Sequence, residues 1–256
     1  MSDVIGTPHA TGEASKTVEA HAKENPLVFH AGWFCPFVQR VWITLEEKGI
    51  DYQYNEVNPY HKEPHFLKIN PKGLVPAIEY HGKALYDSLI VMEFLESAFP
   101  SSTPLLPSDP IEAGLTRLAL TQMSSAVIPN FYKLSQAQEP EAQAEAREAF
   151  VKGLKELVEQ WFVEGKKWAR GDEFGWLDAA LAPWIVRSFL LEEHRAFKKE
   201  EVNERFVKWA EDILARDSIK KTSSTREAYE RNYARYLDNT AQSEVAKATR
   251  SGGRIP

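Results

Sequence analysis

The sequence of 256 residues contains one cysteine, Cys35, and this scarcity excludes several kinds of site. Without a second thiol, the chain cannot form an internal disulfide, a Cys-x-x-Cys redox pair or a zinc site built from several cysteines. It also lacks any run of about 18 apolar residues, and its N-terminus lacks the basic-then-apolar order of a secretory signal. We therefore expect a cytoplasmic protein with no membrane association, whose only thiol acts without help from another in the same chain.

Positive charge is also outnumbered by negative charge, because the sequence has 31 lysines and arginines against 37 aspartates and glutamates, a net charge of -6. A surface that neutralises nucleic-acid phosphates carries the opposite excess. We therefore expect no nucleic-acid partner. The hydrophobic fraction of 43% and the aromatic fraction of 11% are typical of a folded globular chain.

Aromatic residues are missing from both ends of the chain, which predicts a flexible extension over residues 1–25 and a flexible tail over residues 239–256. Between them, four prolines within residues 100–110 forbid a continuous helix or a central strand. We interpret residues 100–111 as a linker. It separates a first domain over residues 26–99 from a second over residues 112–238.

The two domains differ in periodicity. Before the linker, the pattern alternates strand, helix, strand, and then two short strands flank a His81-Gly82 turn ahead of a helix that opens at Asp87. The strand-helix-strand unit implies parallel pairing through a right-handed crossover. After the linker, the apolar residues follow a helical period throughout. The predicted fold class is therefore α/β followed by an all-helical domain.

Cys35 lies between the first strand and the first helix and is followed by Pro36, which suits the first turn of a helix. A helix N-terminus directs backbone N–H groups and the positive end of the dipole at the sulfur, which predicts a lowered thiol pKa. The alternative is an inert cysteine that acts as a small hydrophobic residue. Position alone does not decide between the two.

Two further motifs flank the predicted hairpin. Pro76 in Leu74-Val75-Pro76 can hold a cis peptide, which leaves the backbone of Val75 free for an extended peptide ligand, although a trans proline at a strand start is commoner. Asp87-Ser88 opens a helix and could bind the two charges of an α-amino acid, or could be an ordinary N-cap.

His61 and His65 have the spacing of two metal ligands on a helix. Pro64 disfavours that helix, and no third ligand is evident, so we expect no metal.

Taken together, Phe34-Cys35-Pro36-Phe37, Gly73-Leu74-Val75-Pro76 and Asp87-Ser88, in this order of elements and before an all-helical domain, resemble a cytosolic glutathione transferase. The cysteine followed by Pro-Phe resembles the omega class of that family. The resemblance covers about residues 26–238. It implies a thioredoxin-like first domain that binds glutathione, a helical second domain that binds the other substrate, and a homodimer.

The resemblance also implies roles for individual residues. Cys35 matches the catalytic cysteine, and the glutathione-binding positions correspond to Phe37, Lys62, Val75, Pro76, Asp87 and Ser88. Lys62 would face the glycyl carboxylate, Val75 the cysteinyl backbone, and Asp87 with Ser88 the γ-glutamyl group. The second-substrate pocket would be lined by Phe34, Trp184, Arg187 and Tyr229, although tryptophans on helices are more often core residues. Gly175 departs from the family pattern, because many members have Ser or Thr at that helix cap.

A cysteine at this position favours thiol transfer, with glutathione as co-substrate, over conjugation of electrophiles. The expected substrates are glutathionyl mixed disulfides, glutathionyl ketones and, by resemblance, dehydroascorbate. A non-catalytic carrier of aromatic or polyphenolic molecules is the alternative. In either case the expected ligands are glutathione and small hydrophobic or aromatic molecules.

Overall fold

The structure is a computed structural model that describes residues 7–256. A helix, α1 (Glu13–Ala20), precedes the first domain. The first domain then contains four strands and three helices in the order β1 (Leu27–Ala31), α2 (Pro36–Lys48), β2 (Gln53–Glu56), α3 (Pro64–Ile69), β3 (Ala77–Tyr80), β4 (Lys83–Tyr86) and α4 (Ser88–Ala98).

The four strands form one mixed sheet in the order β2-β1-β3-β4. β1 and β2 are parallel, whereas β3 is antiparallel to both β1 and β4. The predicted thioredoxin-like arrangement is thus confirmed. His81 and Gly82 both take positive φ angles, as a tight hairpin turn requires. Gly49 ends α2 in the left-handed conformation that favours glycine.

The second domain is helical, as predicted. Its helices are α5 (Pro110–Gln122), α6 (Ile128–Gln136), α7 (Pro140–Trp161), α8 (Trp176–His194), α9 (Glu204–Ala215), α10 (Asp217–Lys221), α11 (Arg226–Leu237) and α12 (Glu244–Ser251). A π-helical turn, Met123–Val127, separates α5 from α6.

The prediction of flexible tails is wrong where helices α1 and α12 lie within them. Within the described part of the predicted extension, α1 buries Ala14 and Thr17, and its Ala14 N–H donates to the Ser223 carbonyl at 3.3 Å. In the predicted C-terminal tail, α12 buries Ala246. Small side chains are sufficient to pack both helices, so the absence of aromatic residues was a poor guide. Residues 1–6 of the predicted extension lie outside the described residues.

α2 and α8 form the centre of the contact between the domains. Both helices bury most of their residues, including Val38 and Val41 on α2 and Ala180 and Trp184 on α8. Since Cys35 immediately precedes α2, the domain boundary places the thiol beside the helical domain.

Candidate functional site

A cleft between the two domains opens over Cys35 and has an empty volume of about 630 Å³. One wall comes from the first domain and the other from α6, α11 and the chain leading into α12. The lining residues are Phe34, Cys35, Pro36, Phe37, Pro59, Tyr60, Lys62, Leu74, Val75, Tyr132, Asn232, Tyr233, Tyr236, Gln242, Ser243 and Glu244.

Cys35 occupies the N-cap position of α2, with Pro36 at the start of the helix. Its sulfur lies 3.8 Å from the carbonyl oxygen of Val75, which the cis Val75–Pro76 peptide holds at the start of β3. The backbone N–H groups of Val38 and Phe37, in the first turn of α2, favour the thiolate and lower the pKa of the thiol. The structure therefore places the thiol at a helix N-terminus, as the sequence predicted, and beside the Val75 backbone.

The predicted decrease in the pKa of Cys35 is wrong in direction. Burial raises the pKa of the thiol above its ordinary value and outweighs the N–H groups of Val38 and Phe37 and the charges of Arg187 and Arg40, which lower it. The sequence argument counted the helix N-terminus but not the desolvation that the helical domain imposes.

Lys62 lies at the rim of the cleft and donates from Nζ to the carbonyl of Lys72 at 3.2 Å. Gly73 packs against the Lys62 stem at a φ of 64°, and a Cβ at Gly73 would come within 2.6 Å of Lys62 Cδ. The positive φ therefore favours glycine where the loop crosses this side chain.

Asp87 and Ser88 begin α4 but are not among the residues that line the cleft. Asp87 is exposed at a φ of 78°, and its side chain caps α4 by accepting from the Leu89 N–H at 3.1 Å. Ser88 is buried, and its hydroxyl accepts from Nη1 of Arg40 at 3.3 Å. Asp87 is thus an N-cap residue of α4, which is one of the two roles that the sequence left open. Pro76 also lies behind the lining, next to Val75.

The predicted second-substrate pocket needs correction. Phe34 lines the cleft, but Trp184, Arg187 and Tyr229 are at most 2% exposed and are not lining residues. Trp184 packs edge-on against Phe37, and Tyr229 packs against Trp33. Arg187 donates to the carbonyl of Phe34 behind the cleft wall. These side chains support the wall and do not form its surface.

Tyrosines form the wall that the sequence analysis missed. The lining includes Tyr60, Tyr132, Tyr233 and Tyr236, with Asn232 beside them. Tyr233 and Tyr236 follow Tyr229 at helical spacing, which places the three rings on one side of a helix. The spacing did not indicate which of the three rings reach the cleft. Burial raises the pKa of each lining tyrosine, so all four phenols stay protonated and can donate hydrogen bonds.

The C-terminal segment completes the cleft through Gln242, Ser243 and Glu244. Ser243 caps α12 by accepting from the Ala246 N–H at 3.0 Å, and its hydroxyl lies 2.8 Å from that of Tyr236. The predicted flexible tail therefore supplies part of the site.

Over residues 7–256, no group of three or more His, Cys, Asp or Glu side chains is arranged to hold a metal ion. In the same range, no helix has both the length and the hydropathy needed to cross a bilayer.

Comparison with known proteins agrees with this geometry. A family model described as the glutathione S-transferase N-terminal domain matches residues 34–98. The crystal structure of glutathione transferase Omega 3C from Trametes versicolor is 52% identical, covers 92% of this chain and 100% of its own, and superposes with a TM-score of 0.84.

More distant relatives show the same similarity. Glutathione S-transferase omega-1 of Sus scrofa is 31% identical over 62% of this chain and 66% of its own length. Rice GST1, solved in complex with glutathione, is 26% identical, covers 81% of this chain and 96% of its own, and has a TM-score of 0.74.

Proposed function

Because this chain belongs to the glutathione transferase family and resembles its omega class, we propose that it is a glutathione-dependent thiol transferase with Cys35 as its nucleophile. The observation that carries the proposal is the position of the only thiol. It lies at a helix N-terminus, on the floor of a cleft, 3.8 Å from the Val75 carbonyl.

The proposed reaction begins when the Cys35 thiolate attacks the glutathionyl sulfur of a mixed disulfide. The S–S bond breaks, the substrate leaves as a thiolate and takes up a proton, and a Cys35–glutathione disulfide forms. A second glutathione thiolate then attacks the glutathionyl sulfur of that disulfide. This step releases oxidised glutathione and regenerates the Cys35 thiolate. The chain has no other cysteine, so the resolving thiol comes from solution. Attack on the sulfur of glutathionyl ketones and the reduction of dehydroascorbate are related activities within this proposal.

We propose that glutathione lies along the first domain. The Val75 backbone would bond the cysteinyl residue, and Lys62 would pair with the glycyl carboxylate. The N-terminus of α4, with Asp87 and Ser88, would bind the γ-glutamyl group. Phe37 and Pro76 would pack beside the tripeptide.

The direct test incubates the protein with oxidised glutathione and measures its intact mass. We expect one glutathione adduct per chain, which reduced glutathione then removes. The Cys35→Ser variant should form no adduct and should lose reduction of a small glutathione mixed disulfide while keeping the fold. An active Cys35→Ser variant would refute the assignment.

Carriage of aromatic or polyphenolic molecules is a second candidate, and the wall of four tyrosines favours it. Protonated phenols and ring faces suit flat molecules that bear carbonyl or hydroxyl groups. Titration with a hydroxybenzophenone or a flavonoid tests this function in the Cys35→Ser variant, where catalysis is removed. Tyr233→Ala should weaken the binding. Trp184→Leu, a change behind the wall, serves as the control.

We also infer a homodimer and a cytoplasmic location. The dimer follows from the family resemblance, and exposed apolar residues on α4 and α5 support it. Imaging of the tagged full chain in its host cells tests the location.

A further inference from the structure

Two arginines are buried where the domains meet, Arg40 on α2 and Arg187 on α8, with exposures of 2% and 0%. Within residues 7–256, neither guanidinium has a carboxylate at ion-pair distance, and all its hydrogen bonds go to neutral acceptors. The buried ammonium of Lys48, in contrast, meets Glu96 at 3.0 Å. Burying a cation without an anion is costly, so the arrangement needs a reason.

The contacts of Arg187 connect the two domains beside the thiol. Nη2 donates to the carbonyl of Phe34, the residue before Cys35, at 3.1 Å. Nη1 donates to Gln39 Oε1 at 2.5 Å and to the Pro183 carbonyl at 2.7 Å. A side chain of the helical domain therefore holds the backbone that carries the nucleophile.

Arg40 approaches from the first domain. Nε donates to the Ala180 carbonyl at 2.9 Å, Nη1 donates to the Ser88 hydroxyl, and the guanidinium lies 4.5 Å from the ring of Trp184. Nη2 of Arg40 and Nε of Arg187 are both buried without an acceptor. The carbonyls and rings orient the two cations but do not neutralise them.

Cys35 is the group at this junction that can become an anion during turnover. Resting on the proposed function, we propose that Arg40 and Arg187 together are the counter-charge of the Cys35 thiolate, and that Arg187 provides its share from the helical domain. Both are positioning residues in this role. The thiol proton leaves to water, and the resulting negative charge is balanced by cations that the fold keeps in place.

The ionisable groups around the pair are consistent with this role. Both arginines lower the pKa of Cys35, against the burial that raises it. Burial lowers the pKa of Arg40 to about 9. Burial also disfavours the charged form of Arg187, but the pKa of that guanidinium is raised, and the charge of Cys35 is among the causes that raise it. The other titratable groups near the thiol or the arginines are five cleft-side or buried tyrosines, the Tyr229 ring 4.5 Å from the Arg187 guanidinium, two charged residues of the cleft wall, and one carboxylate near Arg40. These are Tyr54, Tyr60, Tyr132, Tyr233, Tyr236, Tyr229, Lys62, Glu244 and Asp87.

The test measures the rate of Cys35 alkylation by iodoacetamide against pH, using the full chain without glutathione. Because Cys35 is the only thiol, the midpoint of this profile is its ionisation. We expect Arg187→Gln to raise the midpoint by about one pH unit or more, and Arg40→Gln to raise it in the same direction. Arg187→Lys retains the positive charge, so its midpoint should stay close to that of the parent protein.

Arg195→Gln is the matched control. Arg195 is also a largely buried arginine of the helical domain, and it donates to the carbonyls of Leu134, Ser135 and Leu237, away from the thiol. Its loss should lower the melting temperature without moving the alkylation midpoint. A midpoint shift in Arg187→Gln no larger than in Arg195→Gln overturns the proposal.

The Gln39→Glu variant tests the counter-charge role of Arg187 without removing the arginine. It places a carboxylate where the amide oxygen now accepts from Arg187, so the thiol midpoint should rise because the cation is neutralised. If Arg187→Gln does not fold, this variant decides, and an unchanged midpoint in it overturns the proposal. The readout does not require glutathione turnover, so an inactive protein with the expected midpoints refutes only the proposed function.

Discussion

At the residue scale, Asp178 shows how one buried carboxylate organises a stretch of chain. It lies in the first turn of α8 and is 1% exposed. Oδ1 accepts from the Ala169 N–H at 3.0 Å and from Trp209 Nε1 at 2.6 Å, and Oδ2 accepts from the Gly175 N–H at 3.0 Å. These bonds to the backbone start the helix without a side chain at Gly175, so the departure from Ser or Thr there is tolerated.

Asp178→Ala should therefore be strongly destabilising. It leaves the buried donors of Ala169 and Trp209 and the half-buried N–H of Gly175 without their acceptor. Each unsatisfied buried donor costs about 1–3 kcal/mol, so we expect a loss of about 3 kcal/mol in the free energy of unfolding measured with urea. Asp172→Ala is the control, because Asp172 forms an exposed ion pair with Lys166 and should cost less than about 1 kcal/mol. Equal losses would contradict this account of the α8 start.

At the element scale, α1 is attached to the first domain through His21, a residue whose ionisation depends on its surroundings. His21, which follows the helix, stacks on Tyr52 with ring centroids 3.8 Å apart. Its Nδ1 lies 3.1 Å from the Tyr52 carbonyl, and its Nε2 lies 3.4 Å from Glu46 Oε1. Both neighbours are acceptors, so the imidazolium fits better than the neutral ring. The hydrogen bond to Glu46 raises the pKa of His21, against the burial that lowers it.

The stability that His21 contributes should depend on pH. Because the pKa is raised in the folded protein, the contribution is complete below the ordinary value of about 6.5 and is lost as the pH rises through the folded pKa. We expect the decrease in melting temperature across this window to be smaller in His21→Asn than in the parent protein. His9→Asn is the control, because His9 contacts Glu56 at an exposed position. Identical pH profiles for the parent and His21→Asn would contradict the prediction.

At the scale of the whole molecule, the face formed by α4 and α5 is the best candidate for subunit contact. Ile90 on α4 is 53% exposed, and Ile111 and Leu118 on α5 are 71% and 55% exposed. Arg117 and Glu93 pair across the two helices at the same surface. Large exposed apolar side chains are typical of a protein–protein interface, and a surface ion pair is typical of its polar rim.

Leu118→Glu should therefore shift the protein from dimer to monomer, because association would bury a carboxylate without a partner. Light scattering at micromolar concentration measures the mass. Leu214→Glu is the matched control, since Leu214 is an exposed leucine on α9, in another part of the helical domain. A monomeric parent protein would contradict the dimer itself, and a dimeric Leu118→Glu would exclude this face.

The sequence by itself determined the order of the four strands and the position of the thiol. Strand alternation, the Pro36 helix start, the Gly49 stop and the His81-Gly82 turn are local features, because each depends on the backbone preferences of a few neighbouring residues. For the same reason Cys35 could be assigned to a helix N-terminus without knowledge of the packing, whereas the sequence left a cis and a trans Val75–Pro76 peptide open and the structure has the cis form.

Only the tertiary structure decided which side chains reach the cleft. Tyr229 and Tyr233 are one helical turn apart, yet the first packs on Trp33 and the second lines the site, because the rotation of α11 is set by all of its neighbours. Desolvation is likewise a sum over the surrounding atoms of both domains, so the direction of the Cys35 pKa shift and the burial of Arg187 were beyond a local pattern. Local preferences fix where the chain bends and coils, whereas burial depends on residues far apart in sequence.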